Sequence, residues 1–183
     1  MKKILALTLT LLGLVVSGYA VDKEEAFCEL CGTGTPEEVQ AAIDAGADPI
    51  ARVGIGLTAL MFAVGNTNPE VIRVLLDAGV DLDARDSLGN TALIFAARYY
   101  EGENTKMVRA LLYAGADLEA RDNYGATALM YAAGQNDNPE VIRVLIQAGA
   151  DLEARDNYGE TAYNYAKEND ALRGSYILEL LKP

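Results

Sequence analysis

Gly56-Leu57-Thr58-Ala59-Leu60 returns along the chain as Gly89-Asn90-Thr91-Ala92-Leu93, as Gly125-Ala126-Thr127-Ala128-Leu129 and, less closely, as Gly159-Glu160-Thr161-Ala162-Tyr163. A second phrase, Ala45-Gly46-Ala47-Asp48, keeps the same step at 78–81, 114–117 and 148–151. Both phrases advance by 33, then 36, then 34 residues. A period of this size is typical of stacked repeat proteins, whose units bury their apolar sides against their neighbours. Such an array offers a long surface and no enclosed cleft, which favours binding over catalysis.

One repeat predicts two short helices. Thr58 precedes an apolar run and is suited to cap a helix with its hydroxyl, and Gly65-Asn66-Thr67 ends that helix. Asn68-Pro69-Glu70 then provides a cap, a first-turn proline and an acid at the positive end of the helix dipole. The second helix is predicted to bury one stripe, which comprises Ile72, Leu75 and Leu76 here, Val108, Leu111 and Leu112 in the next repeat, and Ile142, Leu145 and Ile146 after that. The polar stretch 80–89 predicts an extended hairpin between repeats.

This pattern resembles the ankyrin repeat. The resemblance rests on the Gly-x-Thr-Ala-Leu starts, the Ala-Gly-Ala-Asp ends and the Asp-x-x-Gly turns at 86–89, 122–125 and 156–159. The chain departs from the usual Thr-Pro-Leu-His motif, because alanine replaces proline and Met61, Ile94 and Met130 replace histidine. The resemblance implies an all-α repeat solenoid in which each unit is a helix-turn-helix with a β-hairpin loop, and it implies binding to another protein.

The predicted organisation is a cleaved signal peptide followed by one repeat domain. Residues 1–20 combine a basic start, an uncharged apolar run and small residues before the expected cleavage after Ala20. The ankyrin-repeat domain then covers residues 21–183. It divides into an N-cap (21–52), three repeats (53–85, 86–121 and 122–155) and a C-cap (156–183). The N-cap carries a predicted capping box, Thr35 to Glu38. The C-cap carries a predicted buried stripe of Tyr176, Ile177, Leu180 and Leu181.

The charge of the chain limits its partners. It has 27 acidic and 15 basic residues and a net charge of −12. Such a surface repels nucleic acid and anionic lipid, and it favours solubility and a basic partner if there is one. We therefore expect a monomer that binds another protein, without nucleic acid and without membrane insertion once the signal is removed. The signal predicts export, to the periplasm or alternatively to the medium.

Cys28 and Cys31 are the only cysteines, spaced C-x-x-C. The spacing allows a redox pair, but the pair falls inside a short cap helix and Cys31 falls on a core position. A local disulfide or two buried thiols fit this position better. Two cysteine sulfurs in a chain without histidine supply only two of the four ligands of a zinc site, so no metal is expected.

The acidic clusters do not predict a calcium site. Asp117, Glu119 and Asp122, like their counterparts at 151, 153 and 156, lack the spacing of a calcium loop. Each cluster includes an arginine, and we expect arginine–aspartate contacts between stacked hairpins involving Arg85, Arg121 and Arg155. The sequence contains no phosphate loop, nucleophile elbow or histidine dyad, so neither an enzyme nor a cofactor is expected.

The predicted binding surface is a row of large side chains at the hairpin tips, on a concave face shared with the first helices. The tip residues are Ile55, Leu88, Tyr124 and Tyr158, which the turns themselves do not need. Leu57, Tyr99 and Tyr100 are predicted to extend the row. Tyr131 and Tyr165 continue the first-helix positions of Phe62 and Phe95 and are predicted to be core.

Three functions fit these features. The first is an exported module that binds an envelope protein, and the sequence leaves open whether it inhibits, protects or assembles that protein. The second is a redox protein of the envelope that uses Cys28 and Cys31. The third is a secreted effector that acts in a host or prey cell, by analogy with the family.

Overall fold

The computed structural model describes residues 22–98 and 104–182. The described residues fall into two compact units, divided between Asp81 and Leu82. The predicted signal segment 1–20 and the predicted contact residues Tyr99 and Tyr100 lie outside the described residues.

The first unit consists of two helix pairs joined by a small hairpin. Its helices are α1 (Lys23–Thr33), α2 (Pro36–Asp44), α3 (Ala59–Ala63) and α4 (Glu70–Asp77). Strands β1 (Arg52–Val53) and β2 (Leu57–Thr58) pair antiparallel between α2 and α3, with Arg52 opposite Thr58. Helix α1 packs on α2 and α3, and α2 packs on α4.

The second unit repeats the helix pair. Its helices are α5 (Ala92–Arg98), α6 (Asn104–Tyr113), α7 (Ala128–Gln135), α8 (Pro139–Gln147), α9 (Ala162–Glu168) and α10 (Ile177–Leu180), with a 3₁₀ turn at Asp170–Leu172. First helices pack on first helices (α5, α7, α9), and α6 packs on α8. These repeats therefore stack side by side within the unit.

The predicted caps at Thr35 and Thr58 are confirmed, whereas Pro69, predicted in the first turn of α4, is the cap residue of that helix and Asn68 precedes it. Thr35 and Glu38 form the capping box, with Glu38 N donating to Thr35 Oγ1 (3.2 Å) and Thr35 N donating to Glu38 Oε2 (2.9 Å). Thr58 Oγ1 accepts from Met61 N (3.4 Å) at the start of α3. Asn68 Oδ1 accepts from Glu70 N (3.0 Å) before α4. These interactions are local, so the residue types alone predict them.

The predicted buried stripes are partly wrong. Ile72 and Leu75 are buried as expected, but Leu76 is half-buried, and the face includes Val71 and Val74 instead. Leu112 and Ile146 are half-buried in the same way. The buried face of the second helix is thus rotated by about one residue toward the start of the helix. Another second helix packs on it besides its own first helix: α2 packs on α4, and α6 packs on α8.

The predicted C-cap stripe is also only half buried. Ile177 and Leu181 are fully enclosed, whereas Tyr176 and Leu180 are exposed. Helix α10 has only four residues, so it encloses one edge of side chains and leaves the other in solvent.

Buried asparagines join one repeat to the next, a role that the sequence analysis missed. In the first unit, Asn66 Nδ2 donates to the carbonyl oxygens of Cys31 (2.9 Å) and Gly34 (2.8 Å). In the second unit, Asn136 Nδ2 donates to Ala97 O (2.9 Å), and Asn169 Nδ2 donates to Ala133 O (3.1 Å). Each amide therefore satisfies a carbonyl near the end of the preceding first helix.

Candidate functional site

The tips of the second unit are tight turns closed by aspartate side chains. Asp86 Oδ1 accepts from the main-chain nitrogens of Leu88 (2.9 Å) and Asn90 (2.8 Å). Asp122 and Asp156 close their turns in the same way, with four bonds of 2.9 Å. We call 86–90, 122–126 and 156–160 the tip turns. The described residues form no regular strand at 80–89, but each tip turn is also closed by a main-chain bond, from Asp86 N to Asn90 O (3.0 Å) in the first turn.

Each tip turn presents a large side chain to solvent. The exposed fractions are 41% for Leu88, 48% for Tyr124 and 75% for Tyr158. We call these three residues the tip row. In each case the preceding aspartate holds the main-chain nitrogen of the tip residue. The fold therefore fixes the backbone of the tip row and leaves its side chains free of contacts that would bury them.

Adjacent tips are hydrogen-bonded to each other. Asn123 N donates to Leu88 O (2.9 Å), and Asn157 N donates to Tyr124 O (2.9 Å). The side chains of the same asparagines make two more bonds: Asn123 Nδ2 donates to Ser87 O (3.0 Å), and Asn157 Nδ2 donates to Asn123 O (3.1 Å). These four bonds set the register of the tip row.

This close approach explains two of the repeated glycines. A Cβ on Gly89 would lie 2.6 Å from Asn123 Oδ1, and one on Gly125 would lie 2.5 Å from Asn157 Oδ1. Both glycines also have positive φ, 82° and 78°. The turn glycines thus serve the contact between repeats as well as the turn.

Arg85 and Arg121 bridge neighbouring tip turns through carbonyl oxygens. Arg121 Nη1 donates to Gly125 O in its own turn (2.9 Å) and to Arg155 O in the next (2.6 Å). Arg85 Nη1 bonds Gly89 O (3.1 Å) and Arg121 O in the same manner. These arginines therefore add side-chain bonds between successive turns to the main-chain bonds described above.

The acidic clusters act within the same framework. Asp83 Oδ1 accepts from Asp117 N (2.9 Å), and Glu119 Oε1 accepts from Asp151 N (2.9 Å), so these carboxylates link successive repeats. Residues 22–98 and 104–182 contain no group of three or more Asp, Glu, Cys or His side chains arranged to hold a metal ion.

Two tyrosines connect tip turns to first helices. Tyr131 Oη donates to Asp122 Oδ2 (2.6 Å), and Tyr165 Oη donates to Asp156 Oδ2 (2.7 Å). Burial, together with the hydrogen bond to the carboxylate, raises the pKa of both tyrosines. Burial alone would raise the pKa of Asp156, but the bonds from Tyr165 and from the main chain outweigh it and lower that pKa. Tyr131 is buried, as predicted for a core residue, whereas Tyr165 is only half-buried.

The remaining described contact residues lie in the first unit. Ile55 is exposed at the tip between β1 and β2, and Leu57 is half-buried in β2, opposite Val53. Ile55 is therefore accessible to a partner, and Leu57 is less so.

Cys28 and Cys31 are both buried within α1, each as a free thiol. Burial, followed by the charges of Asp22 and its acidic neighbours, raises the pKa of the Cys28 thiol to about 11. Burial and the neighbouring Cys28 also raise the pKa of Cys31. Because the thiolate is the reactive form, this environment disfavours redox chemistry.

The family models agree with this architecture. Residues 27–122 match the family described as "Ankyrin repeats (3 copies)", and residues 111–166 match "Ankyrin repeats (many copies)". Since the first match covers more than half of the 183 residues, the chain belongs to the ankyrin-repeat family. The predicted all-α repeat fold is thereby confirmed.

Ankyrin-repeat proteins are protein-binding modules that are generally not enzymes. Comparison with curated proteins gave no match. In residues 22–98 and 104–182, every helix is too short or too polar to cross a membrane.

Proposed function

We propose that this chain is an exported ankyrin-repeat module that binds another protein of the cell envelope through the tip row, Leu88, Tyr124 and Tyr158. The observation that carries the proposal is the exposure of these three side chains on a backbone fixed by hydrogen bonds between adjacent tips. Large side chains on a rigid frame lose little entropy on binding, and tyrosine is among the residues enriched at binding hot spots. Ile55, Leu57, Tyr99 and Tyr100 are further proposed contacts.

The charge of the chain supports a protein partner with a neutral or basic surface. A net charge of −12 repels phosphate backbones and anionic lipid, which are the main competing ligands for an exposed surface in the envelope. The module acts as a monomer in this proposal, because the tip row is then available to the partner.

Export is supported by the N-terminal pattern of residues 1–20. The intact mass of the protein purified from the producing cell tests this: a mature chain that begins at Val21 supports export, and a retained Met1 contradicts it. Fractionation then decides between the periplasm and the medium, and recovery from the medium would favour the effector alternative.

The binding surface is tested by affinity capture from the envelope fraction with matched tyrosine variants. Tyr124→Ala combined with Tyr158→Ala removes two members of the tip row. Tyr113→Ala is the control, because Tyr113 is 86% exposed but lies at the end of α6, outside the tip row. Truncation of a hot-spot tyrosine costs about 2 kcal/mol, or about 30-fold in affinity.

The double variant is expected to lose the protein that the wild type and the Tyr113 variant retain, at an unchanged melting temperature. If the double variant retains the partner, the tip row is not the binding surface. If the double variant unfolds instead, its side chains have a structural role and the proposal is wrong.

A further inference from the structure

Each of the three tip-turn aspartates has a buried carboxylate oxygen that needs a hydrogen-bond donor. Asp86, Asp122 and Asp156 are all buried, with 7% to 8% of their surface exposed. In each, Oδ1 is occupied by two main-chain nitrogens of the turn. The second oxygen, Oδ2, is therefore a buried anionic acceptor that needs a donor of its own.

The chain supplies that donor in two different ways. At the first tip turn, Asn90 Nδ2 donates to Asp86 Oδ2 (3.0 Å), and Phe95 occupies the helix position nine residues after the aspartate. At the second turn, Ala126 occupies the position of Asn90 and has no side-chain donor to offer. The donor is Tyr131, at the position of Phe95, whose Oη donates to Asp122 Oδ2 (2.6 Å).

The third tip turn uses the same kind of donor as the second. Glu160 replaces the asparagine, and Tyr165 Oη donates to Asp156 Oδ2 (2.7 Å). Asparagine thus occurs with phenylalanine, and tyrosine occurs where asparagine is missing. Each aspartate has one side-chain donor, so the two residues at these positions substitute for each other.

We propose that Tyr131 and Tyr165 are positioning residues for the tip row. Each hydroxyl ties a tip turn to a first helix, α7 or α9, and thereby holds Tyr124 or Tyr158 at a fixed place. Asn90 holds Leu88 from within its own turn. The benefit for binding, a lower ordering cost when the partner docks, rests on the proposed function. The positioning role itself does not.

Two observations favour the tyrosine arrangement as the more rigid one. The Arg98 guanidinium lies 4.9 Å from the centre of the Tyr131 ring, so the ring is held from outside as well as through its hydroxyl. In the asparagine arrangement, Asn90 Oδ1 is buried without a hydrogen-bond partner among the described residues. The tyrosine tether occurs in the turns of Tyr124 and Tyr158, the two most exposed members of the tip row.

The test is amide hydrogen exchange of the full chain, measured residue by residue. Tyr131→Phe removes only the hydroxyl. The variant lacks the bond from Tyr131 Oη to Asp122 Oδ2, so the buried carboxylate is held less firmly. The Tyr124 amide, which donates to Oδ1 of the same carboxylate, is therefore expected to exchange about tenfold faster or more. The Tyr158 amide in the third turn is the internal control and should keep its rate.

Rescue separates this role from general packing. Adding Ala126→Asn to Tyr131→Phe rebuilds the asparagine–phenylalanine arrangement of the first turn and should slow exchange of the Tyr124 amide again. Ala126→Asn in the presence of Tyr131 is expected to give no such gain, because Asp122 Oδ2 already has its donor. The reciprocal pair is at the first tip turn. Asn90→Ala should speed exchange of the Leu88 amide. Adding Phe95→Tyr to Asn90→Ala should slow that exchange again.

An unchanged Tyr124 rate in Tyr131→Phe, equal acceleration at Tyr158, or failure of the second substitution to restore protection would each overturn the proposal. If Tyr131→Phe does not fold, the reciprocal pair at the first turn tests the proposal instead: it is overturned if Phe95→Tyr does not slow exchange of the Leu88 amide in Asn90→Ala. Exchange is measured without a partner, so loss of the positioning role and loss of the proposed binding function are separate results.

Discussion

Replacing Asn136 by alanine removes a buried amide that links two repeats of the second unit. Asn136 is fully buried. Its Nδ2 donates to Ala97 O (2.9 Å), and its Oδ1 accepts from Asn138 N (2.9 Å). Asn136→Ala therefore takes the donor from one main-chain group and the acceptor from another, in a place that leaves little room for water.

The size of the effect follows from these two groups. A buried polar group left without its partner costs about 1–3 kcal/mol. The bond to Ala97 O is buried and the bond from Asn138 N is only part-buried, so the second loss falls at the low end of this range and we expect Asn136→Ala to lower the free energy of unfolding by about 2–4 kcal/mol. That is a large part of the 5–15 kcal/mol that is typical of a folded domain.

The assay is urea unfolding of the full chain followed by circular dichroism at 222 nm. Asn123→Ala is the matched control, since it removes the same kind of amide-to-carbonyl bond between repeats, Nδ2 to Ser87 O, from an exposed position. An exposed bond of this kind is worth about 1 kcal/mol or less. Equal losses in Asn123→Ala and Asn136→Ala, or a loss below 1 kcal/mol in Asn136→Ala, would refute the reasoning that burial makes this contact important.

Three further predictions concern the core, the thiols and the pH response. Leu75→Ala should cost about 2–5 kcal/mol in urea unfolding as a truncation of a fully buried side chain, and a cost equal to that of half-buried Leu76→Ala would contradict the burial assignment. Iodoacetamide at pH 8 should label Cys28 in unfolded but not in native protein, because a pKa of about 11 leaves about one thiol in a thousand ionised; rapid native labelling would reopen the redox hypothesis. Asp156 has a lowered pKa when folded, so its contribution to stability is present above the unfolded value of about 3.9 and disappears as the pH falls through the folded value. Tyr165→Phe should therefore lose less stability than wild type between pH 5 and pH 3, and an equal loss would show that the tether does not hold the ionised carboxylate.

The sequence was sufficient for features that depend on neighbours along the chain. Thr35, Thr58 and the Asp-x-x-Gly turns each act within four residues, so residue type and spacing define them. The repeat period likewise predicts which elements stack, because each unit can bury its apolar side only on the next.

Features that depend on contacts between repeats were predicted less well. Leu76 is only half-buried, since the packing of α2 on α4 favours the face of Val71 and Val74, and helical spacing within one repeat does not contain that information. Asn66 was interpreted only as a helix breaker, since its amide acts on carbonyls more than 30 residues away. Its recurrence at Asn136 and Asn169 was the available signal, because a breaker does not need to be asparagine each time.

The candidate site shows the same division. The large residues at the tips could be read from the sequence because turn chemistry does not require them. The tether from Tyr131 to Asp122 could not be predicted from helical pattern, which identified Tyr131 only as core. Comparing the repeats pairwise would have suggested it, since Asn90 with Phe95 is replaced by Ala126 with Tyr131.

Site-specific photo-crosslinking is the most direct test of the tip row as a binding surface. Benzoylphenylalanine is placed at position 158 in one variant and at position 113 in another, and each is irradiated in the envelope fraction. Both positions are highly exposed, so collision with abundant proteins is matched between them. We predict a defined protein adduct from position 158 that is absent from position 113. The same adducts from both positions, or none from position 158, would contradict the account.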